Sequence, residues 1–231
     1  YYARSLYYEE EYVARRLAMA AGSRGLDPAR IAAWLAAHDS GSGLTLSEEQ
    51  TRAVCSAADQ RCAVLTGGPG CGKTTATRVL VALLQALGQR VTLAAPTGRA
   101  AQRMAEVIGL EAKTIHRLLE FQGTGFKRTE DNPLSTDFLI VDESSMLDIS
   151  LTASLLKAVA PETAVLFIGD ADQLPPVGAG NVLRDLIDSN VLPVFRLATV
   201  FRQASESAII QAAHRINRGE VPQLPSPFRS P

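Results

Sequence analysis

Apolar residues along this chain follow two rhythms, and the change falls near residue 43. Before it, Leu6, Val13, Leu17 and Ala20/Ala21 recur at helical spacing, with Glu9, Glu10, Glu11, Arg15 and Arg16 on the other side, which predicts an amphipathic helix. Asp27-Pro28 supplies a cap followed by proline at the first helical position, and Ile31, Trp34 and Leu35 form the apolar stripe of a second helix. Asp39-Ser40-Gly41-Ser42-Gly43 reads as a turn-rich hinge, so residues 1–43 are expected to form a small all-α module. Tyrosines at 1, 2, 7, 8 and 12 read as helix-packing aromatics, with a base-stacking surface as the alternative.

After the hinge, short apolar runs alternate with helical segments. The runs are Ala63-Val64-Leu65, Val91-Thr92-Leu93-Ala94, Phe138-Leu139-Ile140-Val141, Val165-Leu166-Phe167-Ile168 and Val194-Phe195-Arg196-Leu197. Near-continuous apolar strands separated by helices predict an α/β fold, with a parallel sheet buried on both faces, over residues 44–219. Thr97 and Ser205 precede helical stretches as caps, and Gly88 and Gly219 act as stops. Residues 220–231, with prolines at 222, 225, 227 and 231, read as a linker or severed connection to a further domain.

Composition adds limits. The chain has 231 residues, 46 % apolar and 20 % charged, so one full-size domain and a small appendage fit and a disordered chain does not. A net charge of -1 means that any grip on nucleic acid must come from a local patch. Cys55, Cys62 and Cys71 are too few for a disulfide framework, and with His38, His116 and His214 they make no zinc spacing, so a reducing cytoplasm is expected. The apolar stretches fall short of the roughly 18 residues that a membrane span needs. A chain that opens at Tyr1 without an initiator Met reads as an excerpt of something longer.

Two stretches carry chemistry. Gly67-Gly68-Pro69-Gly70-Cys71-Gly72-Lys73-Thr74 fits G-x-x-x-x-G-K-[ST] between a strand and a helix, a frame in which backbone N–H groups cradle polyphosphate. The helix adds its positive N-terminal end, Lys73 reaches the β- and γ-phosphates, and the Thr74 hydroxyl is placed to ligate Mg²⁺, with Thr75 beside it. Cys71 is either an acidified thiol beside that helix end or a small space-filler within the loop. In Phe138-Leu-Ile-Val-Asp142-Glu143, apolar residues bury a strand and the carboxylates emerge at its C-terminal end, where open α/β sheets place ligands. Asp142 would hold Mg²⁺, and Glu143 would orient and deprotonate an attacking water. Asp170 and Gln173 follow the fourth run and are expected at the same sheet edge.

Read in order, the chain resembles the first RecA-like motor domain of superfamily 1B helicases, above all the RecD-like 5′-to-3′ branch of the stand-alone bacterial type. The blocks that carry this are Leu46-Ser-Glu-Glu-Gln50, Gly67–Thr75, Ala95-Pro-Thr-Gly-Arg-Ala-Ala101, Thr114-Ile-His-Arg-Leu118, Val141-Asp-Glu-Ser-Ser-Met146, Gly169-Asp-Ala-Asp-Gln-Leu-Pro-Pro-Val-Gly178 and Val200-Phe-Arg-Gln203. The resemblance implies a P-loop NTPase fold, ATP with Mg²⁺, and single-stranded DNA as partner. It assigns Gln50 to the adenine edge, although Ser47-Glu48-Glu49-Gln50 is also a capping box in which Gln50 closes a helix. It makes Gln173 the sensor of the γ-phosphate, and Arg202, after the fifth run, a cation on that phosphate.

A path for nucleic acid runs over Pro96–Arg103, with Pro96, Thr97 and Arg99 as contacts, and over Thr114–Arg117, with Thr114 and His116. From residue 96 to 128 six basic residues face three acidic ones, and helix N-termini at Thr97 and Thr114 would offer N–H groups to backbone phosphates. His116 is as much a packing residue as a contact. Residues 121–128 place glycines between aromatics, either as a short hairpin, which in RecD-like relatives acts as a strand-splitting pin, or as a plain loop.

The expected function is therefore the ATP-binding half of a 5′-to-3′ DNA helicase, a DNA-stimulated ATP hydrolase working as a monomer with a second RecA-like domain in cis. The 231-residue chain alone is expected to hydrolyse ATP slowly and not to unwind. The alternatives are a non-helicase P-loop enzyme such as a kinase or GTPase, a nucleotide-switched single-strand-binding module, and the helicase part of a conjugative relaxase.

Overall fold

The five apolar runs become strands of one parallel sheet, and a sixth strand joins them. The structure, a computed structural model, describes residues 3–42, 45–199, 208–217 and 219–221. Its strands are β1 (Cys62–Gly67), β2 (Val91–Ala95), β3 (Ala112–Thr114), β4 (Phe138–Val141), β5 (Ala164–Gly169) and β6 (Val194–Leu197), in the spatial order β3-β2-β4-β5-β1-β6. β3 was not expected. It is an edge strand reading Ala-Lys-Thr, with no apolar run to reveal it, and it exists because it pairs with the end of β2, Ala95 opposite Thr114.

Strand alternation divides the core. Leu139, Val141, Phe167 and Val64 face one layer, and Phe138, Ile140, Leu166, Ile168 and Leu65 face the other. Helices α1 (Arg4–Met19) and α2 (Pro28–Ser42) go to opposite layers: Val13 and Leu17 join the first, Ile31 and Leu35 the second. α1 is fixed further by Arg16, whose Nη2 donates to the carbonyls of Val159 and Ala160, each at 3.1 Å, and by Ser150, whose hydroxyl donates to Glu9. Tyr12 packs against the core, whereas Tyr7 and Tyr8 are half exposed.

The remaining helices are α3 (Glu48–Asp59), α4 (Lys73–Ala86), α5 (Gly98–Ile108), α6 (Ile115–Leu118), α7 (Ile149–Lys157), α8 (Val182–Ser189) and α9 (Ala208–Asn217). The turn-rich reading of residues 39–42 is corrected: α2 continues through Asp39 and Gly41 to Ser42, and Trp34 stacks on His38 at 4.6 Å near its end. A break at residues 43–44 lies outside the described residues, as do Ser205 and residues 222–231. The start of the sheet is aligned by Arg90, just before β2. Its backbone N–H, Nε and Nη2 all donate to Asp137, just before β4, and hold that carboxyl down at about 2. Among the described residues, no helix is long and apolar enough to cross a membrane.

Candidate nucleotide site

The strand order brings three neighbouring strand ends to one edge: β4 delivers Asp142 and Glu143, β5 delivers Asp170, and β1 delivers the phosphate loop. A cleft of ≈ 780 Å³ opens there, lined by residues 68–75 together with Asp142, Glu143 and Gln173. The expected phosphate, metal and water-activating residues therefore meet around one volume.

The loop is shaped for N–H groups to face inward. Gly70 and Gly72 sit at φ 80° and 77°, in the left-handed region that a side chain disfavours, and Gly72 leads directly into α4. Gly67 is needed for another reason: a Cβ there would stand 2.5 Å from the Leu197 carbonyl oxygen of β6. Lys73 opens α4, and its Nζ donates back to the Gly67 and Gly68 carbonyls, the latter at 3.1 Å. The ammonium thus spans the loop where phosphate oxygens would lie. The Thr77 hydroxyl bonds the Lys73 carbonyl at 2.8 Å. Thr74 and Thr75 line the cleft half-buried. Cys71 is 3 % exposed, and burial pushes its thiol up against the pull of Lys73. The acidified-thiol reading is thereby corrected, and Cys71 is the space-filler.

Asp142 and Glu143 are both half-buried. Burial raises the Asp142 carboxyl, opposed by the Glu143 N–H bond at 2.8 Å and by Lys73 and Arg103. Burial and then the Asp142 charge raise Glu143. Glu143 also sits at φ 52°, ψ 40°, a left-handed backbone uncommon for a side-chain-bearing residue. Gln173 is exposed at the cleft and accepts from the Ser145 hydroxyl at 3.3 Å, while buried Asp170 accepts from the Asp172 N–H.

Gln50 makes the capping box: its N–H donates to the Ser47 hydroxyl and its Oε1 accepts from the Ser47 N–H. Its Nε2 also donates to the Gly72 carbonyl, which ties α3 to the phosphate loop. Next to it, the Glu49 carboxylate accepts from the N–H groups of Ala198 and Thr199, bonds that hold it below the ordinary range. Arg202 lies outside the described residues.

The nucleic-acid candidates gather on the same sheet edge, at β2 and β3. Because Ala95 pairs with Thr114, residues 96–99 and 114–117 are side by side, and Thr97 and Thr114 cap α5 and α6 through bonds from Ala100 and Arg117. Pro96 is half-buried; Arg99 and His116 are exposed. The His116 ring packs against Phe126 at 5.7 Å and Phe121 at 6.0 Å. Residues 121–128 form no strand; an isolated antiparallel bridge joins Phe121 and Phe126, and the Gln122 N–H donates to the Gly125 carbonyl.

One cleft residue escaped the sequence reading. Arg103, placed there on the nucleic-acid path and not at the nucleotide, lines the cleft with Ala100 and Met104. The i, i+3, i+4 spacing of these three, with Met104 buried, was the available signal.

A family model for an AAA domain matches residues 45–226. The chain is 49 % identical over 177 residues to the ATP-dependent RecD2 DNA helicase of Deinococcus radiodurans, an alignment covering 77 % of this chain and 24 % of that protein. It is 41 % identical over 165 residues to the RecBCD enzyme subunit RecD of Mycobacterium tuberculosis, covering 61 % of this chain and 29 % of that one. A crystal structure of the Pif1 helicase from Candida albicans superposes with a TM-score of 0.60 and 25 % identity, covering 78 % of this chain and 45 % of the other. The chain spans 24 % and 29 % of the length of these two curated relatives.

Proposed function

The chain belongs to the AAA-domain family, and from that premise we propose that it is the ATP-binding half of a RecD-like DNA helicase that couples hydrolysis to 5′-to-3′ movement along single-stranded DNA. The observation that supports this best is the convergence of Lys73, Asp142, Glu143 and Gln173 on one cleft. Kinase chemistry would need room for a second substrate hydroxyl; a carboxylate next to the metal ligand and a glutamine at the terminal phosphate suit attack by water.

In this reading the N–H groups of residues 68–74 and the α4 N-terminus hold the phosphates, and Lys73 exchanges its carbonyl partners for phosphate oxygens. The half-buried Asp142 carboxyl has no cation within ion-pair distance among the described residues, and with the Thr74 hydroxyl it fits a divalent ion. These two residues would hold Mg²⁺, which neutralises charge on the β- and γ-phosphates. Glu143 takes the proton of the attacking water. Gln173 reports loss of the γ-phosphate, Arg202 contributes positive charge to it, and Gln50 reads the adenine edge. Pro96, Thr97, Arg99, Thr114 and His116 grip backbone phosphates without reading sequence. Residues 121–128 serve as the pin, 1–43 as an accessory helical segment, and 220–231 lead to a second RecA-like domain of the same cytoplasmic, monomeric protein.

The test is ATPase activity with and without single-stranded DNA, on this chain and on one extended to the length of its relatives. The extended chain is expected to be DNA-stimulated, with stimulation lost in Lys73→Ala and Glu143→Gln. Rapid unwinding by the 231-residue chain alone, or a preference for GTP over ATP, would overturn the proposal.

A further inference from the structure

A triphosphate entering the cleft meets two carboxylates, Asp142 and Glu143, and a single ammonium, Lys73, which in this structure is held by the Gly67 and Gly68 carbonyls. Negative charge accumulates further as water attacks, so every cation at the cleft counts, beyond Lys73 and the Mg²⁺ and Arg202 of the reading above. α5 also lines the cleft, and it contributes Arg103. Arg103 is exposed, and among the described residues it makes no hydrogen bond and no ion pair within 4.0 Å, unlike Arg90, Arg128 and Arg16, which are committed to Asp137, Glu120 and backbone carbonyls. A guanidinium is charged at every pH of interest and offers a planar fork of donors suited to phosphate. One that lines a phosphate cleft and meets Asp142 and Glu143 only through longer-range charge keeps its donors for a ligand.

We propose that Arg103 is a phosphate-contacting residue that recognises the terminal phosphate of the bound nucleotide. This rests on the ATPase reading above and deepens it. Arg103 comes from a different wall than Lys73, so the nucleotide is clasped between α4 and α5. The position also has a mechanical consequence. Arg103 lies one helical turn beyond Arg99, in the middle of α5, the helix that begins just after Pro96 and Thr97. Contact with the terminal phosphate therefore pulls on the helix whose first turn carries Arg99 and whose cap is Thr97, two of the proposed nucleic-acid contacts, and release of that phosphate frees it.

The test compares equilibrium binding of Mg-ADP and of a nonhydrolysable Mg-ATP analogue to the wild type, Arg103→Gln and Arg103→Lys. Because Arg103 is exposed, both variants should fold, with thermal melts that match the wild type. Arg103→Gln is expected to leave ADP affinity within about twofold and to weaken the ATP analogue roughly 10- to 100-fold, the range for losing a charged hydrogen bond; Arg103→Lys should recover part of the loss. A wild type that binds neither nucleotide overturns the ATPase reading and this assignment with it. A wild type that binds both, beside an Arg103→Gln that keeps the wild-type ratio or loses both nucleotides equally, overturns the assignment alone.

Discussion

The Gln50 carboxamide donates through Nε2 to the Gly72 carbonyl at 3.1 Å while its Oε1 accepts from the Ser47 N–H. One buried side chain thus closes the N-terminus of α3 and pins the last residue of the phosphate loop before α4. Capping and base recognition stand as alternatives in the sequence; the structure makes the cap and the loop tie, with Gln50 2 % exposed and outside the residues that line the cleft. An amide has two N–H protons and two oxygen lone pairs, and the cap and the loop use one of each. Adenine recognition would need the remaining donor and acceptor, on a side chain that must first be uncovered.

Gln50→Ala should therefore act twice. Loss of the box and of the tie to Gly72 should cost about 1 kcal/mol, lowering the melting temperature by about 2–4 °C. The preference for ATP over GTP should fall in competition binding. A variant that melts lower yet keeps its base preference would leave Gln50 as a cap alone.

Gly67 and Leu197 set a second constraint. A Cβ at position 67 would stand 2.5 Å from the Leu197 carbonyl oxygen, and backbone at the end of a paired strand cannot swing aside as a flexible side chain can. Gly67→Ala should force β6 from β1 at a cost of roughly 1–3 kcal/mol, read as a melting temperature lower by about 3–10 °C. Nucleotide affinity should fall with it, because the same displacement reshapes the start of the phosphate loop.

Much of the site was legible before the fold. Ala63–Leu65 and Phe138–Val141 are continuous apolar runs, and strands buried on both faces present whatever follows them at the sheet edge, so the loop at 67–74 and the pair at 142–143 could be placed. Strand order could not be read. Nothing in the apolar pattern says that β5 lies between β1 and β4, which is what gathers Lys73, Asp142 and Gln173. Periodicity showed that α1 and α2 each bury a stripe, but not that the stripes meet opposite layers. Arg103 was assigned to the nucleic-acid path because an exposed arginine beside a basic helix start shows nothing in sequence of the cleft that the fold opens next to it.

Asp137 supplies a pH prediction. Three donors of Arg90 hold its carboxyl down at about 2, from an ordinary value of 3.8. A carboxyl depressed in the folded state stabilises the fold above its unfolded value and loses that contribution as pH falls through the folded one. Acid unfolding of the wild type should therefore steepen between roughly pH 4 and 2. Asp137→Asn should be less stable at neutral pH and should lose less over that window, as followed by circular dichroism.

Glu143 combines a left-handed backbone with a half-buried charge beside Asp142, and both features cost stability in the absence of nucleotide. Strain and like-charge repulsion of this kind persist where function requires them. Glu143→Gln removes the charge and keeps the backbone, so it should raise the melting temperature by about 1–2 °C, the shift expected for roughly 0.5 kcal/mol. Glu143→Gly removes both and should gain more, because glycine adopts φ 52° without a Cβ clash. Both should abolish hydrolysis while still binding Mg-ATP, since neither touches the phosphate loop. If Glu143→Gln instead melts lower than the wild type, the carboxylate is a structural anchor and its assignment as the base that activates water fails.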